Sequence, residues 1–585
     1  MMLPRMRVIL VLFVLCHERG WAFQSPTTSR SFQKIPLYST ASPFRESVVS
    51  VVRTSRDRRV LDEIQRTSSQ DMDARSLTRL INALAESRDH KAAERAHEIL
   101  KILLLLSSEV KPNVIHCNSV IKTCSQSRDK GAARRAEQVL DEMWQQCALG
   151  NVHVKPNTIS YNTAIHAWAN SGSEVAAERA TILLKDMWDR GDSGVKPNAR
   201  TYCAVMNALS KCRNRGAQAE ALLRDMMLRH SRGDADLAPT MMAFNSVINA
   251  WSNTGGPSTA DRAAALLEEM WTMYRETDDI SLKPDISTYN SILKILANKK
   301  GRAGAKRATK LLKELWRFYE DNGEECLEPN RITYSSVIKS WANSGSSNAG
   351  EKASALLEEM WARTKAGHEN LMPDQIAYGS VLNAWANNKN AGAGENATAI
   401  LAELWELHER GHRNLRPDQK SYNTAIRAWC HSDRGSEAAN RALALVQEMW
   451  QHHKDGFRSL KPDVITYSTV ISVISSSGAP PDMCDSVLRD LWNKYHEHRD
   501  ESLKPDMICY SNVIHAHVNS GQADAPARAM ELLREMQGLH GKGHQRLKPD
   551  RITYLSVIRA HRESQHPEAE EFIDSLRVEM KAALL

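Results

Sequence analysis

A chain of 585 residues is too long for one compact core, because single cores stop growing near ~250–300 residues; several domains or a repeat array are expected. The apolar fraction of 42% excludes wholesale disorder, and the low glycine and proline counts, 27 and 20, favour helices with short connections over a turn-rich sheet. The net charge is +7, but residues 1–70 hold 11 basic and 5 acidic residues, so the remaining 66 basic and 65 acidic residues leave the body only +1. Bulk charge therefore gives residues 71–585 no support for polyanion binding, which would need a local stripe. The cysteines (Cys16, Cys117, Cys124, Cys147, Cys203, Cys212, Cys326, Cys430, Cys484 and Cys509) form no CxxC pair and share no even spacing. That excludes a disulfide framework and a zinc-finger pattern.

In chain order, residues 1–22 come first, with Arg5 and Arg7 ahead of an apolar run from Val8 to Cys16. The run is too short to span a bilayer and suits a signal-peptide core. Gln24 to Arg45 then holds no acid, three basic residues and many Ser and Thr, the composition of a transit peptide. The Ala22-Phe23 junction between them resembles the bipartite plastid presequence of algae with complex plastids. The expected organisation is a signal-like segment over 1–22, a transit-like segment and linker over 23–70, and the body over 71–585. Plastid is the expected location, with the mitochondrion or the secretory pathway as alternatives. No stable membrane insertion is expected once the presequence is removed.

Along the body a proline recurs at 112, 156, 197, 239, 284, 329, 373, 417, 462, 505 and 549, at intervals of 41 to 45 residues. An aromatic stands five residues after all but the first: Tyr161, Tyr202, Phe244, Tyr289, Tyr334, Tyr378, Tyr422, Tyr467, Tyr510 and Tyr554, with Cys117 in the first case. A fixed period of this size means stacked supersecondary units. Each unit reads as two helices joined by a polar loop, a first helix such as SYNTAIRAW (421–429) in one unit and a second such as EKASALLEEMW (351–361) in another. The same template fits residues 71–111 and the stretch ending at Met580, giving twelve units of about 44 residues with atypical end units as caps. Thirteen of the fourteen tryptophans fall in two registers, five closing first helices and eight near the ends of second helices. They could be base-stacking platforms, but aromatics at fixed helical register are expected to pack one unit on the next.

This pattern resembles the pentatricopeptide repeat family. The carrying residues are Pro417-Asp418 with Ser421-Tyr422-Asn423, and the second-helix run from Ala442 to Met449. The family period is shorter, about 35; here the added residues fall in the inter-helix turn and after the Met. The resemblance implies an all-α, right-handed α-solenoid of tandem helix–turn–helix repeats. It also implies sequence-specific binding of single-stranded organellar RNA, one base per repeat. Such a protein is not an enzyme, needs no cofactor and no metal, and acts in RNA processing, stabilisation or translation beside other RNA-processing proteins. The alternative is a protein-binding scaffold without RNA.

In the family, base choice rests on the residue after the aromatic and the residue after the proline that ends the unit. Hydroxyls, amides and carboxylates there can bond base edges, which phosphate contacts cannot read. Carried onto this chain, the pairs are Thr78 with Asn113 (adenine), Asn118 with Asn157 and Asn162 with Asn198 (pyrimidines), and Asn245 with Asp285 (uracil). Then come Asn290 with Asn330 (a pyrimidine), Ser335 with Asp374 (guanine), Asn423 with Asp463 (uracil), and Ser468 with Asp506 and Ser511 with Asp550 (guanine). Cys203 with Thr240 and Gly379 with Asp418 give no assignment, and Leu555 has no partner. The implied target is A-Y-Y-n-U-Y-G-n-U-G-G, where Y is a pyrimidine and n is undetermined.

An apolar residue three before the reading position, which wedges between bases in the family, is matched by Ile115, Ile159, Met242, Ile332, Ile376, Ile465, Ile508 and Ile552, but not by Arg200, Ser287 or Lys420. The phosphate-facing Lys that closes the family's first helix is replaced by Asn170, Asn253, Asn298, Asn343, Asn387 and Asn519, with Lys211 the exception. Lys111, Lys155, Lys196, Lys283, Lys461, Lys504 and Lys548, each before a unit proline, form either an alternative basic row or solvated loop lysines. His408-Glu409-Arg410-Gly411-His412 spells the zinc-protease HExxH, but its place in an exit tail and its glycine predict a broken helix and a coincidence.

Overall fold

The computed structural model describes residues 43–52, 60, 74–87, 89–105, 111–127, 129–256, 258–388, 390, 392–431, 434–564 and 569–584. The signal-like segment and most of the transit-like segment lie outside these residues. No described segment is a strand, and no described helix is long and apolar enough to cross a membrane. A short helix, Pro43–Val52, packs on the second helix of the first unit through a face that buries Val48 and Val52.

Twelve helix pairs follow, from Ala74–Glu86 with Ala92–Leu105 to Arg551–Glu563 with Ala569–Leu584. Unit 7 is typical: Arg331–Ala342, then Ala349–Lys365, then a short 3-10 turn at Glu369–Leu371. The residue after each unit proline is the N-cap of the next first helix. In ten of the eleven, the Asn or Asp oxygen takes a backbone N–H of the first turn, as Asp463 does from Thr466 at 2.9 Å. Thr240 caps without a side-chain bond. The proline cannot continue a helix and fixes the extended entry that an N-cap needs.

The extra length of the unit lengthens the second helix and adds the 3-10 turn. That turn is anchored: Val154, Val195, Leu237, Leu282, Leu327, Leu371, Leu415, Leu460, Leu503 and Leu547, each two residues before a unit proline, are buried. The exit tail is therefore docked through one aliphatic side chain per unit.

Successive first helices pack backbone to backbone along the whole array, whereas successive second helices beyond units 1 and 2 stand farther apart and meet through long side chains, as Phe318 does on Trp271. First helices thus lie on the inside of the curve and second helices on its outside. The tryptophans pack, as their register predicts. Each indole N–H near the end of a second helix donates to the hydroxyl of the next unit's tyrosine: Trp144 to Tyr161, Trp188 to Tyr202, Trp271 to Tyr289, Trp316 to Tyr334, Trp361 to Tyr378, Trp405 to Tyr422, Trp450 to Tyr467 and Trp492 to Tyr510, at 2.8–3.2 Å. Most of these tyrosines donate in turn to an acid on their own unit's second helix, as Tyr334 does to Glu359 at 2.8 Å and Tyr378 to Glu403 at 2.7 Å. Burial, together with the facing acids, pushes the phenols up, so they remain donors at neutral pH.

The junction of units 4 and 5 departs from this in a consistent way. Phe244 has no hydroxyl, and Met227 stands where the donor Trp would be. The acid left over, Glu269, is taken by Arg224 at 2.9 Å. Trp251, Trp385 and Trp429, at the ends of first helices, lie flat against Gly216, Gly350 and Gly394 of the preceding second helices. A Cβ on Gly394 would come within 2.2 Å of the Trp429 ring, so only glycine fits there.

Candidate nucleic-acid interface

Three positions of each first helix, spaced i, i+3 and i+7, fall on one stripe of its surface. The first is the wedge position. Ile115, Ile159, Met242, Ile332, Ile376, Ile465, Ile508 and Ile552 are all exposed, between 53% and 69%, and give eight of the twelve units an uncovered aliphatic side chain in the same register.

The second is the reading position. It is half-buried in most units, beside the N-cap of the next unit. Asn290 Nδ2 lies 3.4 Å from Asn330 Oδ1, and Asn290 Oδ1 accepts from Thr333 Oγ1 at 2.8 Å. Cys203 Sγ lies 3.8 Å from Thr240 Oγ1. Asn118 Oδ1 accepts from Ser160, the capping partner of Asn157, at 2.6 Å. Ser511 meets Thr553, which bonds Asp550, at 2.8 Å. In these four cases the side chains paired from the sequence share one boundary between units, directly or through the capping residue. Asn162, Asn245 and Asn423 each hold a buried side-chain oxygen with no hydrogen-bond partner. An unpaired buried amide oxygen is costly and asks for an explanation. Asp285, Asp418, Asp463, Asp506 and Asp550 each use one oxygen in capping, and the second has no hydrogen-bond partner among the described residues. Thr78 and Ser468 turn their hydroxyls onto their own helices, to Ala74 O at 2.8 Å and Ile465 O at 3.0 Å. At Gly379 nothing would lie within 4 Å of an added Cβ, and a cavity of about 600 Å³ opens there.

The third position was not singled out in the sequence. Lys122, Lys294, Lys339, Arg427 and Arg559 stand four residues beyond the reading position, all exposed, with His166 and His515 in two other units. Burial and the neighbouring cations lower both histidine pKa values (Lys211 and Arg200 for His166, Arg559 for His515), so both are neutral at pH 7. The spacing i+4 from the reading residue is the signal that would have found this row. First helices together carry thirteen Lys and Arg against two acids, Glu86 and Glu563; second helices carry 28 against 36. The six N-cap aspartates temper the inner excess without cancelling it. A body near neutrality overall is thus segregated by layer.

One lysine expectation needs correction, and the asparagines that replace the family's Lys gain a role. The pre-proline lysines are neither a free basic row nor simply solvated: most of those described bridge to acids, mainly in the next exit turn. Lys155 meets Asp192 at 2.5 Å, Lys196 Asp234 at 2.8 Å, Lys283 Glu324 at 2.5 Å and Lys461 Asp500 at 2.6 Å, while Lys504 turns to Glu501 of the preceding turn at 3.3 Å. The asparagines in place of the family's Lys cap the preceding first helix. Asn170, Asn253, Asn343 and Asn387 donate to Ser125, Ser210, Ala297 and Ala342 carbonyls at 2.6–3.2 Å. The HExxH string is not a helical site: its helix ends at Glu409, Gly411 takes φ +104°, and His412 lies beyond it against Trp361.

No curated protein matches this chain. The crystal structure of the pentatricopeptide repeat protein PPR10 from maize is similar at 18% identity over 92% of this chain and 73% of that one, with a TM-score of 0.46. PPR10 in complex with an 18-nt psaJ RNA element is similar at 17% identity over 92% and 90%, with a TM-score of 0.31. Residues 105–171 and 272–344 match the family described as pentatricopeptide repeat domain. The aromatic opening, capping residue and second-helix pattern of those segments recur in the units on either side of them, so the likeness to the pentatricopeptide repeat extends beyond the two matched segments.

Proposed function

We propose that the chain binds single-stranded RNA along its inner layer, one base per unit, and serves organellar RNA processing, stabilisation or translation without catalysing a reaction. The observation that carries this reading is the stripe itself. An uncovered aliphatic, a polar pair across the unit boundary and a cation recur in register, which are the three contacts a splayed strand needs: a spacer between bases, a reader of base edges and a phosphate neighbour. The orphaned oxygens of Asn162, Asn245 and Asn423 find partners once base edges arrive. The leader composition supports action in the plastid of an alga with a complex plastid.

The test is selection of RNA from a random single-stranded pool by the full chain, followed by sequencing. The expected result is enrichment of A-Y-Y-n-U-Y-G-n-U-G-G over about a dozen nucleotides. Recovery of protein partners from isolated organelles, with no enriched RNA, would favour the scaffold reading instead.

A further inference from the structure

The outer layer is neutral or acidic in eleven of twelve units. The exception is the second helix of unit 6, Arg302–Asn322, with six basic residues and three acids. Five of them, Arg302, Lys306, Lys310, Lys313 and Arg317, recur every three or four residues on one exposed face. Arg302, Lys306, Lys313 and Arg317 have no ion-pair partner among the described residues; Lys310 reaches Glu314 at 3.5 Å. Like charges at this spacing destabilise a helix, so local structure gives no reason for the row. Nor does the repeat: the positions equivalent to Lys306, Lys310, Lys313 and Arg317 are Glu351, Ala355, Glu358 and Ala362 in unit 7.

Ala305, Ala308, Leu312 and Leu315 bury the opposite face, so the row points away from the inner layer. It runs about 22 Å at 1.5 Å per residue. The aromatics beside it are occupied: Phe318 stacks on Trp271 at 5.6 Å, and Trp316 lies under the Arg363 guanidinium at 3.4 Å. No platform is left for unpaired bases, which single-strand sites combine with their cations. A straight row of cations without base readers suits the regular phosphate track of a duplex.

We propose that this row is a second RNA contact, which holds the phosphates of a base-paired segment flanking the single-stranded target. The proposal rests on the RNA-binding reading of the inner layer, and its test separates the two. The full chain and its R302Q/K306Q/K310Q/K313Q/R317Q variant are titrated with three probes. These are 5′-ACUAUCGAUGG-3′, the same strand joined to a hairpin stem, and a duplex of about 16 base pairs. All five side chains are exposed, so circular dichroism should coincide for the two proteins and the variant, relieved of like-charge repulsion, should melt no lower than the native chain.

The native chain should bind the stem-bearing strand about ten-fold more tightly than the bare strand. The variant should bind both as the native chain binds the bare strand, with a log–log salt slope for the stem-bearing probe shallower by about 3 to 4. Equal affinity of the native chain for both strands would overturn the proposal. So would a variant that loses the bare strand as heavily as the stem-bearing one, or one that loses an acidic protein partner while its RNA binding is unchanged. If the bare strand is not bound but the duplex is, and only by the native chain, the inner-layer reading fails and the outer contact stands.

Discussion

A first helix and the second helix after it both bury an aliphatic face, yet they leave different chemistry uncovered. The inner helix presents a polar side chain in most units, an exposed aliphatic in eight and a cation one turn further in five, with almost no acids. The outer helix presents mixed charge that changes from unit to unit, apart from the basic row of unit 6. Regularity on the inside and variability on the outside are what an extended, periodic partner on one face would leave in the sequence. The two layers are joined by Trp–Tyr–acid bonds centred on the buried tyrosines.

The largest expected effect comes from breaking the joint. Tyr422→Ala removes a fully buried ring that accepts from Trp405 at 2.8 Å and donates to Glu448. It should cost about 3–5 kcal/mol. In a repeat array that loss is local, so hydrogen exchange should accelerate in units 8 to 10 and leave units 2 to 4 unchanged. Next is Gly394→Ala, which drives a methyl group into Trp429 and should cost about 1–3 kcal/mol by denaturant titration. The same change at Gly379, where nothing would be touched, should leave stability nearly unaltered.

The comparison of layers is sharpened by charge removal. The pair Lys339→Gln and Arg427→Gln on the inner stripe should weaken single-stranded RNA binding equally for all sequences. It should flatten the log–log salt slope by about 0.7 per cation that meets a phosphate. Glu358→Gln on the outer layer should change neither. The smallest effect concerns the exit-turn ladder. Lys461 holds the Asp500 carboxyl down at about 2 by a hydrogen bond and its charge. Its unfolded value is near 3.9. A depressed carboxylate contributes stability above the unfolded value and loses it as pH falls through the folded one. Melting should therefore show a small loss between about pH 4 and pH 2 that Lys461→Met reduces, the Ser502 N–H continuing to hold the carboxylate; an identical profile in the variant would exclude Lys461 as its source.

Much of the fold was legible because one template is written many times. The proline, the residue after it and the aromatic five residues on mark each first helix without any long-range contact being known. The buried role of the tryptophans followed from register alone. What could not be read were bonds between units about 37 to 46 residues apart: Lys155 with Asp192, or Asn343 with the Ala297 carbonyl, involve side chains that look solvated within their own unit. The anchoring residue of the exit turn, such as Leu371, was lost in an otherwise polar tail. The inner cations were missed because the closing position of the helix was inspected, while the row sits one turn past the reading residue on the same face.

The central claim is that the inner layer, and not the outer one, meets single-stranded RNA. Photo-crosslinking of the full chain to a short single strand carrying 4-thiouridine, with mass spectrometry of the joined peptides, tests it most directly. The account predicts adducts on first-helix peptides around Ile332, Ile376, Ile465 and Ile508, and none on second helices. Adducts confined to second helices, or an even spread over both layers, would contradict it.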